Sequence, residues 1–490
     1  MSTSESPSAA VRARLDHPII DGDSHIVEFM PTYFDYLKDV GGTELVDRYR
    51  SSSVSRAWAK MSWDERRAEQ IPVPPWWALP TENTLDRATA MLPRLLHERM
   101  DEVGMDFVVL YPTIGLGFPH INDDEVRQAA CRAFNQFTAD QYGEFSDRMT
   151  VAAVIPLNTP EEGLAELEYA HSLGLKVAQI PAYVRRPVPS VAEQYPELAQ
   201  RVTWLDSFGI DSEYDYDPFW QRCIDLGFAV ASHSSGMGFI DRASISNYMY
   251  NHMGHFAAAG EVLCKSLLMG GVTTRFPELR VALLEGGVAH GARLYADIIA
   301  RWEKRGREQI NHLDPVNLDI ELADDLFNRY GGELTEGKLE DLARTLGLQA
   351  PDIDPTIKDN FAAMKIERAE DFYDRFVPSF YFGCEADDPI TAWAFNDQIN
   401  PFGAKIRAIM STDLGHWDVP DMSEAVAEAY QPVEAGVISP DDFRDFAFTN
   451  QLRLYAHSNR DFFKGTIVED AAAATLAQES ANGGVSRADS

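Results

Sequence analysis

Only four cysteines occur in 490 residues, Cys131, Cys223, Cys264 and Cys384, and no two form a CxxC pair. That spacing argues against a disulfide framework or a thiolate zinc site and leaves reduced, mostly buried thiols. Positive charge is also scarce: 43 Lys+Arg face 77 Asp+Glu, for a net charge of −34. A surface so negative repels phosphate backbones and anionic lipid, which weighs against nucleic-acid and membrane partners. An acidic substrate would need a local positive patch, such as a bound metal. No stretch approaches the roughly 18 consecutive apolar residues of a membrane span. No GxGxxG follows the first apolar run, and no internal repeat is visible. The opening MSTSESPSAAVRARLD lacks the apolar core of a secretion signal, so the expected location is the cytoplasm.

What the chain does have is a core. Hydrophobic residues make up 45% and charged residues 24%, ordinary for a globular protein. Eight short apolar runs recur, at Pro18–Asp21, Met105–Tyr111, Thr150–Pro156, Leu175–Ile180, Phe228–His233, Arg280–Glu285, Phe380–Cys384 and Ile406–Asp413. Continuous apolar strands are buried on both faces. Amphipathic segments lie between them, including Asp124–Gln141, Pro160–Leu173, Pro218–Leu226 and Met422–Val433. Strand alternating with helix gives parallel βαβ units, and eight of them close into a barrel. The predicted fold class is therefore α/β, a (β/α)8 TIM barrel with long loop insertions. The barrel domain is expected over 17–467, with insertions at 41–95, 182–212 and 305–378, and mobile tails at 1–16 and 468–490.

Chemistry gathers at the strand ends. In the first strand, IIDGDSHIVE, alternation puts Asp21, Asp23 and His25 on one face. Two carboxylates and an imidazole there are costly without a cation or a dense hydrogen-bond network; taken alone, DxDxH also fits an N-capped turn. Strand five ends in His233, strand six in Glu285 before two glycines, and strand eight in Asp413 followed by His416 and Asp418. Any one of these could be a satisfied core group, but their recurrence at four strand ends favours a divalent ion in a mixed O/N ligand set. Asn251 and His252, beyond strand five, are expected at the mouth as substrate contacts, although His252 and His255 also suit a packing pair. The stretch IPVPPWWALP offers Trp76 and Trp77 either as a packed cover or as an aromatic lid on a hydrophobic substrate. Glu385, Asp387 and Asp388 read as a turn, and Glu28 and Asp418 as carboxylates that orient the imidazoles.

The stretches IIDGDSHIVE, DEVGMDFVVLYPT, DPFWQRCIDLGFAVASHSSG, GGVTTRFPELRVALLEGGV, YFGCEADDP, MSTDLGHWDVP and NRDFFKGT together resemble the amidohydrolase-related family that includes aminocarboxymuconate-semialdehyde decarboxylase and its hydrolase relatives. The resemblance covers most of residues 17–467. It implies metal ligands at Asp23, His25, His233 and Asp413, with Asp21 steadying the strand end, and it implies a homodimer. Two-metal relatives use a modified lysine at the end of strand four, where this chain has Gln179; one metal is implied, Zn²⁺ first, with Mn²⁺ or Fe²⁺ as alternatives. Two positions depart from the decarboxylases of the family, which have His where this chain has Asp23 and Glu285. The expected function is a metal-dependent hydrolase of a small carboxylated or aromatic compound, acting through a metal-activated water on a C–N, ester or activated C–C bond. Asp413, Glu285 and His416 are its expected catalytic groups. Non-oxidative decarboxylation on the same scaffold is the alternative, and a non-catalytic binding barrel a remote one.

Overall fold

A computed structural model describes residues 6–52, 61–73, 82–236, 243–347 and 358–482. Eight parallel strands form the centre: β1 (Ile20–Ile26), β2 (Phe107–Pro112), β3 (Met149–Val151 and Ala153–Val154), β4 (Val177–Ile180), β5 (Ala229–Ser232), β6 (Val281–Leu283), β7 (Phe380–Cys384) and β8 (Arg407–Met410). They are ordered as in the chain. Strand β3 joins two sheets: Val108 pairs with Met149 on one side and Ala153 with Ala178 on the other. The ring closes where Ser24 of β1 bridges Leu414 beyond β8. The (β/α)8 barrel read from the apolar runs is therefore the fold.

Capping explains where the outer helices begin. Asp123 accepts from Val126 N at 3.2 Å to start Asp124–Tyr142, and Thr159 caps Pro160–Ser172 with a proline in the first turn. Gly227, with φ +72°, ends Asp217–Leu226 in the left-handed conformation that favours glycine.

Several expected boundaries move. The first strand runs to Ile26, because its polar DGDSH stretch is held by pairing with β2 and by the closing seam. A register shift between Asp21 and Ser24 breaks the simple alternation of side chains. Neither tail is loose over its described part. Residues Pro7–Arg12 form a helix in which Ser8 is fully buried, its hydroxyl accepting from Val426 N at 3.0 Å. Residues Glu469–Asn482 form another, with Val468 and Ala472 buried beneath the barrel. The excursion over 182–212 contains an antiparallel hairpin, Val184–Pro187 against Thr203–Asp206. Within 305–378, the helix Ile320–Tyr330 buries no residue, while Phe361, Met364, Phe372 and Phe376 enter the core. No helix among the described residues is long and apolar enough to cross a membrane. All four cysteines are free and buried.

Candidate metal centre

The closing seam and the site are built from the same residues. His25 N donates to Leu414 O at 2.7 Å and Asp413 N to Asp23 O at 2.9 Å. Asp21 turns away from the cluster: it accepts from Thr412 N at 2.9 Å and Thr412 Oγ at 2.7 Å, and also from Ser24 Oγ. It thus staples β1 to the end of β8, the steadying role expected of it. Asp23, one pleat further on, accepts from Ser411 Oγ at 3.0 Å and keeps its other oxygen, Oδ1, without a partner.

Three of the four expected ligands come together with Glu285. Nitrogen or oxygen atoms of His25, His233, Glu285 and Asp413 all lie within 4.8 Å of one another. Asp23 stands beside them, 3.5 Å from His25 Nε2 and 3.6 Å from His233 Nε2. His25 Nδ1 faces Pro112 O at 3.1 Å; a carbonyl can only accept, so that nitrogen carries the proton and Nε2 presents a lone pair to the cluster. It points at His233 Nε2, 3.1 Å away, and lies 3.1 Å from Asp413 Oδ1. Glu285 Oε2 is 3.1 Å from His233 Nε2. Glu285 was expected as a catalytic group only, yet it stands within the ligand cluster itself.

Whether a cation fits is decided by what these atoms lack. Asp23 Oδ1, Glu285 Oε2 and Asp413 Oδ2 are buried without a hydrogen-bond partner among the described residues, and Asp413 Oδ1 meets only the imidazole nitrogens of His25 and His416. Buried carboxylate oxygens are ordinarily satisfied. Burial raises the carboxyls of Asp23 and Glu285 well above their ordinary range, and the neighbouring Asp413 raises both further. On Asp413 burial pushes the same way but is outweighed by the imidazoles of His416 and His25, which hold it well below. Burial first, then neighbouring histidines, lower His25 and His233, so both rings are neutral, the form that ligates. Convergent neutral imidazoles and orphaned carboxylate oxygens fit one divalent cation.

The surroundings sort the remaining expectations. His416 stacks on His25 with centroids 3.8 Å apart, its Nδ1 lies 2.7 Å from Asp413 Oδ1, and its Nε2 meets Thr113 Oγ1 at 3.0 Å. It therefore stands behind Asp413. Asn251 spends its side chain on its own loop, accepting from Ser244 N at 2.6 Å and donating to Ser244 O at 2.8 Å. His252 does reach the site, 4.0 Å from Glu285 Oε1 and 5.4 Å from the Trp417 ring. Glu28 does not orient an imidazole: it accepts from Ile114 N and Gly115 N and holds the loop after β2. Trp76 and Trp77 lie outside the described residues.

Above the cluster opens a cavity of about 530 Å3 lined by His252, Phe256, Glu285, Glu385, Trp417 and Asp418, among others, with no Lys or Arg among the described residues of its wall. Burial and then Asp413 raise Glu385 to about 8 and Asp418 to about 10. Glu385 was read as part of a turn; its place directly after β7, like Glu285 after β6, was the available signal. Trp417 and Phe256 supply the aromatic walls.

The sequence profile of the amidohydrolase family matches residues 57–332, more than half of the chain. The match spans His233 and Glu285, while Asp23, His25 and Asp413 lie outside it. No curated protein matches the sequence. Among solved structures, an amidohydrolase from Mycobacterium avium subsp. paratuberculosis K-10 superposes with a TM-score of 0.51 at 16% identity, covering 90% of this chain and 100% of that one. A dihydroxybenzoic acid decarboxylase from Polaromonas sp. JS666, with bound manganese and 2-nitroresorcinol, gives 0.49 at 16% identity, covering 91% and 99%. A 2,6-dihydroxybenzoate decarboxylase from Rhizobium gives 0.47 at 15% identity, covering 90% and 98%. With a profile match over more than half its length and an eight-stranded barrel whose strand ends gather histidines and carboxylates, the chain belongs to the amidohydrolase family.

Proposed function

We propose that this enzyme is a metal-dependent hydrolase of a small carboxylated or aromatic compound, cleaving a C–N, ester or activated C–C bond. The observation that carries the reading is the convergence of His25, His233, Glu285 and Asp413 within 4.8 Å at the base of the cavity. Asp23, His25, His233 and Asp413 would hold the cation, with Glu285 beside it. Zn²⁺ suits this mixed N/O set, and Mn²⁺ and Fe²⁺ are accommodated by the same donors. When bound, a divalent cation brings the pKa of an adjacent water to about 7 and polarises a substrate carbonyl.

The chain's own groups then divide the work. Asp413, ionised and buried, accepts a proton from the attacking water, and His416 on its far side fixes the orientation of the carboxylate. Glu285 faces both His233 and the cavity, so it is placed to return a proton to the leaving group. Trp417 and Phe256 pack on an aromatic substrate. Glu385 and Asp418, raised to about 8 and about 10, stand in the cavity wall as proton-holding groups that can donate hydrogen bonds to a substrate oxygen. Non-oxidative decarboxylation of a carboxylated aromatic compound on the same scaffold is the alternative. We further expect a cytoplasmic homodimer.

Elemental analysis of wild type, His233→Ala and Asp413→Ala tests the site; both variants should lose metal. Turnover of aromatic amides and esters in ¹⁸O-water tests the reaction. Label in the acid product supports hydrolysis, whereas CO₂ release from an aromatic acid without label replaces it with decarboxylation. Substoichiometric metal that added Zn²⁺ does not restore would point to a binding protein instead.

A further inference from the structure

The opposite end of the barrel gathers positive charge in a chain where acidic residues outnumber basic ones 77 to 43. Arg280 directly precedes β6, Arg407 opens β8, and Arg453, His457 and Arg460 come from the helix Asn450–Ser458 and the residues after it. With Tyr381 of β7 they line a cavity of about 290 Å3, one wall of which is the C-terminal helix Glu469–Asn482. Arg453 is neutralised, at 2.6 Å from Glu479 and 3.4 Å from Asp445. Arg280, Arg407 and Arg460 have no carboxylate within ion-pair reach among the described residues.

The neutral partners of these arginines are few. Arg280, only 9% exposed, donates to Pro277 O at 2.7 Å and Leu279 O at 3.0 Å. Arg407 donates to Asn450 Oδ1 at 3.3 Å, and its buried Nε has no partner. Burial lowers the pKa of both guanidiniums, and the neighbouring cation lowers each further. His457 is pushed down to about 4, by burial first and then by Arg280 and Arg460, so it adds a polar ring and no charge. Crowding desolvated cations without counter-charge is expensive, and a chain with 77 acidic residues has carboxylates to spare.

We propose that this cavity is an oxyanion site, holding a small dianion between Arg280, Arg407 and Arg460 and so tying the starts of β6 and β8 to the segment after the helix Asn450–Ser458. The ligand chemistry is two or more charges on oxygen, as in a phosphoryl group or a dicarboxylate, because planar guanidiniums pair with both in fork geometry. The volume stands at the lower edge of small-molecule sites, enough for the anion together with a short organic residue. Lying at the amino ends of the strands, where stability and not chemistry usually resides, the site acts on the fold and not on the reaction.

The test uses the full-length, metal-loaded protein titrated with inorganic phosphate and separately with malonate, each against chloride at matched ionic strength. Calorimetry and the melting temperature are the readouts. Saturable binding of either anion with a rise in Tm is expected; phosphate alone identifies a phosphoryl source, malonate alone a dicarboxylate. Arg460→Ala, at the exposed rim, should weaken that binding roughly tenfold by removing one charge-assisted contact, while leaving the Tm in chloride unchanged. Arg280→Gln probes the buried side, and anion binding at the metal centre is recognised as the signal that survives both substitutions. If neither anion binds saturably, or if both variants bind as tightly as wild type, the proposal is overturned.

Discussion

Replacing Glu285 by Gln should have opposite effects on the metal-free and metal-loaded protein. Without a cation, Glu285 and Asp413 bring carboxylate oxygens within 4.8 Å of each other with both side chains almost wholly buried. At that separation and an effective dielectric near 20, two unit charges repel by about 3 kcal/mol. A proton shared by the pair removes part of this, so the relief from Glu285→Gln is between about 1 and 3 kcal/mol. Gln matches Glu in size, tolerates the same left-handed backbone (φ +55° at Glu285), and its amide can donate to Asp413. For a chain of this length each kcal/mol shifts Tm by roughly 1–2 °C. The chelator-stripped variant should therefore melt about 2–4 °C above stripped wild type. Adding Zn²⁺ should reverse the ranking, because the variant has lost a negative group that balances the ion. Calorimetry on stripped and reloaded samples of both proteins measures this directly. If the stripped variant melts below wild type, or both gain equally from metal, Glu285 does not belong to the ligand cluster and the charge argument fails.

Three further outcomes follow from other parts of the structure. Gly415 has φ +111°, and a Cβ there would lie 2.8 Å from His25 O. Gly415→Ala should thus cost roughly 1–3 kcal/mol and weaken metal affinity, measured by melting and metal titration; unchanged values would detach the seam from the site. Glu166, which accepts from Arg132 at 2.9 Å and Asn135 at 2.8 Å, is raised from 4.5 to about 7, chiefly by burial. A carboxyl raised on folding stabilises fully below its unfolded pKa and loses that contribution as pH climbs through the folded one. The stability of wild type relative to Glu166→Gln should therefore fall by up to roughly 3 kcal/mol between about pH 4.5 and pH 7, as urea melts across that range would record. Arg127, 1% exposed, bonds Glu162 at 2.5 Å and Ile121 O at 2.8 Å. Arg127→Met should cost about 3–5 kcal/mol by stranding Glu162, and adding Glu162→Gln should recover part of it.

The barrel was legible because burial on both faces writes continuous apolar runs, and Phe380–Cys384 emerged with the boundaries expected of it. The apolar run Pro18–Asp21 marks only the start of the first strand because DGDSH has poor strand propensity; the extension to Ile26 is imposed by β2 and by Leu414, which sit far away in the chain. The same blindness to distance hid the docked amino terminus. Nothing in the local composition shows that Ser8 will cap a backbone more than 400 residues away. Trp204, beside Asp206, belongs to a hairpin whose VRRP and TWLD strands have no alternating pattern to betray them. At the site, residue type and strand-end position were enough to bring His25, His233 and Asp413 together. They were not enough to separate Glu285 from its neighbours, since a strand-end carboxylate reads the same whether it binds, donates a proton or lines a wall.

Backbone geometry adds what residue type could not. Eight non-glycine residues among those described have positive φ, and two of them, Glu285 and Asp413, belong to the cluster. Each follows the end of a barrel strand, β6 and β8, where the chain turns out of the sheet. The left-handed conformation costs an ordinary residue roughly 1–2 kcal/mol, and glycine would avoid that cost at either position. Two carboxylates held there, side by side, desolvated and short of hydrogen bonds, combine backbone strain with electrostatic repulsion. One divalent cation between them relieves the repulsion and makes the strained turns useful, because the turns are what aim both carboxylates at a common point. Removing the ion should therefore loosen the ends of β6 and β8 before the rest of the barrel. Hydrogen exchange on stripped protein should show faster amides at 284–287 and 411–416 than at the centre of β4, and uniform exchange across these strands would separate the strain from the metal.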